Sequence, residues 1–247
     1  MADRVPTIFN PLRREHRVTR ALARSGRANT ARFVWNEMAE DMVERLDFVR
    51  HDPLRPLLLG TVPDFLAAHL NTDREAFDLE APYPRSDFDF IGVVSQLDAV
   101  NDLPGALIHM HNALTPGGLA IASFIGGASL GRLRSAMRAA EPDRPAARMH
   151  PLVDPRAAPG LLQRAGWKDP VVDTHTLSVR YSSLERLVHD LRDQALGSAL
   201  ADRSPPLDKT ARARAQAAFL KDADADGKVT ETFEIITLTG RRSLAGD

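Results

Sequence analysis

Two continuous apolar runs, Phe88-Asp-Phe-Ile-Gly-Val-Val-Ser95 and Leu119–Ile125, constrain the fold more than any other feature of the chain. A strand with one face in water alternates apolar and polar residues. Runs without that alternation suit strands covered by helices on both faces, as in a parallel sheet. The segment between them, Leu103–Leu114, reads as a helix closed by Thr115-Pro-Gly-Gly118, where glycine supplies the left-handed cap geometry. Strand, helix, strand at this spacing argues for a doubly wound α/β domain.

The flanking segments extend the pattern. A helix with apolar Phe33, Val34, Met38, Met42, Val43, Leu46 and Val49 begins near Thr30, its expected N-cap, and leads into a strand at Pro56–Gly60. A short helix at Asp64–Leu70, a short strand at Glu75–Leu79 and a turn at Ala81–Pro84 follow. After Ile125 the chain predicts helices at Ser129–Ala140, Pro159–Ala165, Leu184–Leu196 and Thr210–Phe219, and strands at Val171–Tyr181 and Thr230–Gly240. Residues 1–50 form a helical N-terminal segment and residues 51–247 the α/β unit, together one domain.

Composition narrows the function classes. Without cysteine there is no disulfide, thiolate metal site or cysteine nucleophile. The formal net charge of −1 gives no global attraction to nucleic acid or to an anionic membrane. No apolar run approaches the ~20 residues that span a bilayer, and no secretory signal is visible at the start, so a cytoplasmic location is expected. Arginine-rich, lysine-poor composition suits a GC-rich bacterial genome. Charge is uneven, however. Residues 1–32 carry eight arginines against Asp3 and Glu15. Such a stretch reads as a targeting presequence, an interaction arm, a helix covering an anionic site or a solvated surface helix. Val18, Ala21 and Leu22 recur there at helical spacing, which favours an ordered helix over a leader.

Motif searching finds little chemistry. Asp222-Ala-Asp-Ala-Asp-Gly-Lys-Val-Thr-Glu-Thr-Phe233 imitates a calcium loop. It has Phe233 where the bidentate glutamate belongs, so a polar turn is the better reading. His109 and His111 do not share a helix face. His51, His150, His175 and His189 show no metal-ligand spacing among themselves, and no metal site is expected.

The chain resembles class I S-adenosylmethionine-dependent methyltransferases, and within them the BioC-like proteins and the mitochondrial complex I assembly factors. The resemblance runs through Ile8-Phe-Asn-Pro11, Asn101-Asp-Leu-Pro-Gly-Ala-Leu107, Phe124-Ile-Gly-Gly127, Leu161–Trp167, Val172–Tyr181, Asp190-Leu-Arg192 and Thr232–Gly240. It implies a Rossmann-like, mostly parallel sheet flanked by helices with an antiparallel last strand. It also implies an S-adenosylmethionine site and, from the assembly-factor branch, where a similar scaffold hydroxylates a protein arginine, a protein partner in a homo- or hetero-oligomer.

Two departures stand at the cofactor end. Where family members usually read Asp-Leu-Gly-Cys-Gly-x-Gly, this chain reads Leu58-Leu-Gly-Thr-Val-Pro-Asp64. Only Gly60 survives. Val62 brings a branched Cβ to a place where backbone should meet ligand, and Asp64 is expected to cap its own helix. Only 28 residues separate Gly60 from Asp89, too few for the usual helix, strand, helix and strand, so one strand–helix unit is expected to be missing.

The resemblance leaves Gly60, Asp78, Ser95 and Gln96 as a vestigial cofactor set, Asp78 on the adenine side, with catalytic residues unassigned. Gly126 and Gly127 border the same cleft, and Arg180, Tyr181, Asp190 and Arg192 are expected to form a polar network. The sequence therefore suggests a methyltransferase-like accessory or assembly factor with doubtful S-adenosylmethionine binding. The alternative is an active methyltransferase with a compensated site.

Overall fold

The computed structural model describes residues 6–27, 29–143, 146–202 and 204–244. Eight α-helices and six strands follow one another along the described residues. The first half runs α1 (Pro11–Ser25), α2 (Phe33–Phe48), β1 (Pro56–Gly60), α3 (Asp64–His69), β2 (Arg74–Glu75), β3 (Phe88–Val94) and α4 (Leu103–Ala113). The second half runs β4 (Leu114–Gly126), α5 (Gly131–Ala140), α6 (Ala158–Arg164), β5 (Lys168–Tyr181), α7 (Leu184–Asp193), α8 (Lys209–Leu220) and β6 (Val229–Arg241).

The strands make one sheet in the order β2-β1-β3-β4-β6-β5. β1 pairs in parallel with β2 and β3, and β3 with β4; β6 runs antiparallel to both β4 and β5. This is the expected Rossmann-like sheet with its antiparallel last strand. The interval from Gly60 to Phe88 holds one six-residue helix and a two-residue strand, so the strand–helix unit is missing as anticipated.

Period-two alternation within the buried strands feeds two cores. Leu58, Phe90 and Val94 face a core built with α2, α3, α5, α7 and α8; Leu57, Leu59, Ile91 and Val93 face one built with α4 and α6. Glycine at position 92 lets Met42 of α2 reach the sheet. A Cβ there would stand 2.9 Å from the Met42 sulfur and 2.8 Å from Leu58 Cδ2. No helix among the described residues is long and apolar enough to cross a membrane.

Several sequence expectations need correction. Thr30 does not cap α2, whose N-cap is Arg32; its hydroxyl donates to the Arg24 carbonyl at 2.8 Å and closes the end of α1. The strand expected at Glu75–Leu79 is two residues, Arg74–Glu75, and buried Leu79 packs in the core beneath α4. Thr115-Pro-Gly-Gly118 does not cap α4. The chain passes straight from Ala113 into β4, and Gly117, at φ +79°, donates its N–H to the Arg242 carbonyl just past the end of β6. Helix α5 starts at Gly131 because Leu130 is left-handed, and α7 stops at Asp193 ahead of left-handed Ala195. Each is a local tertiary hydrogen bond or backbone kink overriding a periodic pattern.

Gly60 has a structural reason to exist. At φ +93° it lies so close to β3 that a Cβ would sit 2.1 Å from the Val94 carbonyl oxygen. Gly60→Ala should therefore cost at least about 2 kcal/mol in urea unfolding, from the backbone clash and the unfavourable φ together. Gly131→Ala meets nothing within 4 Å and should change stability by less than about 0.5 kcal/mol.

Candidate functional site

Open α/β sheets bind ligands beyond the carboxyl ends of their strands, and the chain concentrates its polar side chains there. The turn after β1 is closed upon itself. Thr61 is fully buried, with its N–H donating to the Val94 carbonyl at 2.9 Å. Val62, only 7% exposed, belongs to the core beneath α2 and α3. Asp64 does not cap α3, contrary to expectation. Pro63 holds the cap position, and Asp64 lies exposed in the first turn, where its charge complements the helix dipole.

After β3 the backbone turns through two successive left-handed non-glycine residues, Ser95 (φ 65°) and Gln96 (φ 73°). Such residues are uncommon. Here the Ser95 N–H donates to the Ser123 carbonyl at 2.7 Å, and the Leu97 N–H to Ser95's own carbonyl at 3.1 Å, which hold the kink. The kink sets Asp98 and the Ala99 carbonyl beneath helix α1.

Helix α1 answers with two buried guanidiniums. Asn10 caps it, its side chain accepting the Arg13 N–H at 3.1 Å, and Pro11 occupies the first turn. One turn in, Arg14 donates to Glu80, to Asp78 at 3.2 Å and to the Ala99 carbonyl at 3.4 Å. The other oxygen of Glu80 accepts the N–H groups of Asn101 (2.7 Å) and Asp102 (3.0 Å), so one carboxylate ties α1 to the start of α4. Arg17 pairs with fully buried Asp98 at 3.3 Å and donates to the Gly197 carbonyl at 2.8 Å. Asp98 also lies 3.7 Å from His150 Nε2, and the His150 ring meets Phe9 edge-on at 5.2 Å. Burial, helped by Arg17 and Arg134 and opposed by Asp98, pushes His150 below the usual imidazole range.

Of the sequence-derived set, Ser95 and Gln96 form the kink, Gly60 packs against β3, and exposed Asp78 is engaged by Arg14. Gly126 and Gly127 are glycines because their neighbours leave no room. A Cβ at Gly126 would meet Ile236 at 2.3 Å, and one at Gly127 would overlap the Glu234 carboxylate. The network expected of Arg180, Tyr181, Asp190 and Arg192 does not assemble as one unit. Burial and the Asp190 carboxylate push the Tyr181 phenol up, whereas Arg180 turns to Asp224 (2.5 Å) and Asp226 (2.7 Å) and Arg192 is exposed elsewhere. Those Arg180 contacts close the calcium-like loop as a polar turn. Asp224 is held below the usual carboxylate range by the Lys228 backbone N–H and by Arg180.

Sequence reading missed Arg14, Arg17, Glu80 and Asp98. Only the arginine excess of the first 32 residues hinted at them. It also missed that His189, Asp190 and Asp193 of α7 converge within 4.8 Å of one another. Their carboxylates face Arg186 (3.0 Å) and Arg24 (3.6 Å), a cationic rather than metal-ready setting.

Around this clamp lie two adjoining hollows. The larger, about 800 Å³, is walled by α1, the end of α7 and residues 197–202, and is lined by Arg13, Arg17, Arg20, Arg24, Arg148 and Arg192. The smaller, about 240 Å³, is lined chiefly by Leu133, Met137, Leu152, Val188 and Leu191. Arg148, Arg192, Gly197 and Ser198 line both.

Asp98→Ala would leave Arg17 charged and buried, and should cost about 3–5 kcal/mol in equilibrium unfolding. Acidification has a predictable sign. Because His150 is depressed in the fold, the unfolded chain takes up its proton first as pH drops below 6.5. The stability from neutral His150 is full above that pH and is lost as pH falls through the folded value. His51, depressed mainly by burial and by Arg241, acts in the same direction. Comparing urea midpoints at neutral and mildly acid pH for wild type and His150→Gln isolates His150, and the variant should show the smaller acid loss.

No protein-family model matches the chain. Among curated proteins it is 30% identical over 164 residues to the mitochondrial arginine-hydroxylase NDUFAF5 of Rattus norvegicus, an alignment covering 64% of this chain and 48% of that protein. It is 28% identical over 257 residues to the malonyl-[acyl-carrier protein] O-methyltransferase of Halorhodospira halophila, covering 88% of this chain and 85% of that one. The chain thus spans about half the length of the arginine-hydroxylase relatives. Among solved structures, YcgJ of Bacillus subtilis superposes with a TM-score of 0.53 at 10% identity, covering 84% of this chain and 99% of YcgJ, a likeness of fold. The chain is a homologue of the arginine-hydroxylase and malonyl-[acyl-carrier protein] O-methyltransferase proteins, built on the Rossmann-like class I methyltransferase fold.

Proposed function

We propose that this chain is a methyltransferase-like protein that does not bind S-adenosylmethionine in the ordinary way and acts through a protein partner as an accessory or assembly factor. The observation that carries this reading is the closed β1–α3 turn. A cofactor of this kind needs backbone left bare at that turn and a carboxylate at the end of the second strand to hold its ribose. Here Val62 is core, Gly60 lies against the Val94 carbonyl, and the second strand is two residues long. The carboxylate that the family resemblance assigns to the adenine side, Asp78, is engaged by Arg14. The residues present do not fit the group.

A protein partner is supported by the homology to an arginine-hydroxylase and by the surface of the α2–β1 connection. Phe48 and Leu54 are 89% and 86% exposed there, and large apolar side chains left in water mark contact surfaces when they cluster. A cytoplasmic accessory role is part of the same proposal.

Calorimetric titration with S-adenosylmethionine and S-adenosylhomocysteine up to millimolar ligand should give no binding heat and no rise in melting temperature. Micromolar binding of either would overturn this reading in favour of an active, compensated methyltransferase. Val62→Gly should not restore binding. It should instead lose about 2 kcal/mol or more of stability, because it empties a core position and loosens the backbone.

A further inference from the structure

The large hollow beside α1 carries a charge imbalance that the fold does not resolve. Six guanidiniums line it, and three of them have carboxylate partners: Arg17 with Asp98, Arg24 with Asp193, and Arg148 with Glu141. The other three do not. Arg13 donates only to the backbone carbonyls of Leu200 (2.6 Å) and Ala201 (3.3 Å). Arg20 reaches only the His16 carbonyl on its own helix, and exposed Arg192 makes no hydrogen bond or ion pair among the described residues. Against these three positive charges the described lining offers one carboxylate, Asp202. The hollow therefore holds an excess of about two positive charges in a concave space, where like charges repel and a dianion would be drawn in.

Shape and apolar lining restrict the ligand further. A volume of about 800 Å³ lies within the range of small-molecule sites rather than extended macromolecular surfaces. The second hollow opens from the same four residues and is walled by aliphatic side chains. One end of the combined site suits a doubly charged head and the other an apolar chain.

We infer that this double hollow is a binding site for a phosphate monoester carrying an apolar tail, the phosphate held by Arg13, Arg20 and Arg192 and the tail lodged against Met137, Leu133 and Leu191. A phosphate monoester bears ~1.5–2 negative charges at neutral pH and matches the guanidinium fork. Arg13 is already held by two carbonyls, so little side-chain entropy is lost there on binding. The site is separate from the closed β1–α3 turn, and it stands whether or not the chain works through a protein partner.

The test is calorimetry of the purified chain with n-octyl phosphate, inorganic phosphate and n-octyl glucoside at low and moderate salt. Octyl phosphate should bind, inorganic phosphate about tenfold or more weakly, and the glucoside not measurably; added salt should weaken the phosphate binding. Arg20→Ala combined with Arg192→Ala should weaken octyl phosphate at least about tenfold. The melting temperature of the unliganded protein should stay unchanged, because neither side chain supports the fold. Met137→Gln, which removes the apolar contact without adding charge, should weaken octyl phosphate and leave inorganic phosphate as it was.

No heat with millimolar octyl phosphate, or undiminished binding by the double variant, would overturn the assignment. Equal affinity for octyl and inorganic phosphate would overturn the role of the apolar hollow. Phosphatidylcholine vesicles doped with phosphatidic acid separate the two sources of this chemistry. Sedimentation with such vesicles without binding of free octyl phosphate would replace a single-molecule site with a membrane-surface contact.

Discussion

Two guanidiniums carried by one helix decide the architecture at the carboxyl end of the sheet. Arg14 and Arg17 lie one turn apart on α1 and enter neighbouring places, Arg14 against Glu80 and Arg17 against Asp98. Taking such charges out of water costs several kcal/mol per ion, and a lone pair would barely return it. The arrangement holds because each group has further partners. Glu80 accepts two backbone N–H groups at the start of α4, while Arg14 and Arg17 also reach the carbonyls of Ala99 and Gly197. The ion pairs therefore act less as a net source of stability than as a means of fixing where α1 lies. Once α1 is fixed, so are the segment Ile8–Asn10 that leads into it and the 197–201 loop, joined through Asn101 and the Phe9–Leu200 bridge.

The shortened interval between β1 and β3 is the counterpart of that clamp. With one strand–helix unit gone, β2 is reduced to two residues at the sheet edge, and the chain between it and β3 runs as loop. That loop carries Asp78 and Glu80, the carboxylates that receive Arg14. In a fold whose ligands approach from this side, the deletion and the basic helix are complementary. One removes wall from the cleft, and the other fills the space with side chains of the chain itself. What is left open is displaced toward α7 and the 147–150 segment, where arginines outnumber their partners.

Resemblance to the methyltransferase-like proteins also acquires a physical explanation. Ile8-Phe-Asn-Pro11 and Asn101-Asp-Leu-Pro, distant in sequence, meet directly. The Asn101 carboxamide accepts the Ile8 and Phe9 N–H groups at 2.8 Å each and donates to the Phe9 carbonyl at 3.2 Å. Asp102 then caps α4 by accepting the Gly105 N–H at 2.8 Å. These motifs record how the chain entry is fastened to the sheet, a role independent of the turn after β1.

The sequence by itself determined the sheet and its covering. Strands buried on both faces must be written as unbroken apolar runs, and helices between them must show a 3.6-residue period, so Phe88–Val94, the core of β4 and most helices were legible. The missing strand–helix unit was equally legible, because chain length sets a hard limit on what fits between Gly60 and Asp89. The reason for Gly60 was not: a glycine kept for backbone approach to a ligand and one kept for backbone approach to Val94 look alike in a sequence. The sites of Arg14, Arg17, Glu80 and Asp98 were hidden as well, since a charge reads as solvated until another element covers it. Only the tertiary structure decided which of the arginines on α1 are buried and which line the hollow. The ion-pair partners of Arg14 and Arg17 are 64 to 81 residues away, and no local pattern encodes a contact formed at that range.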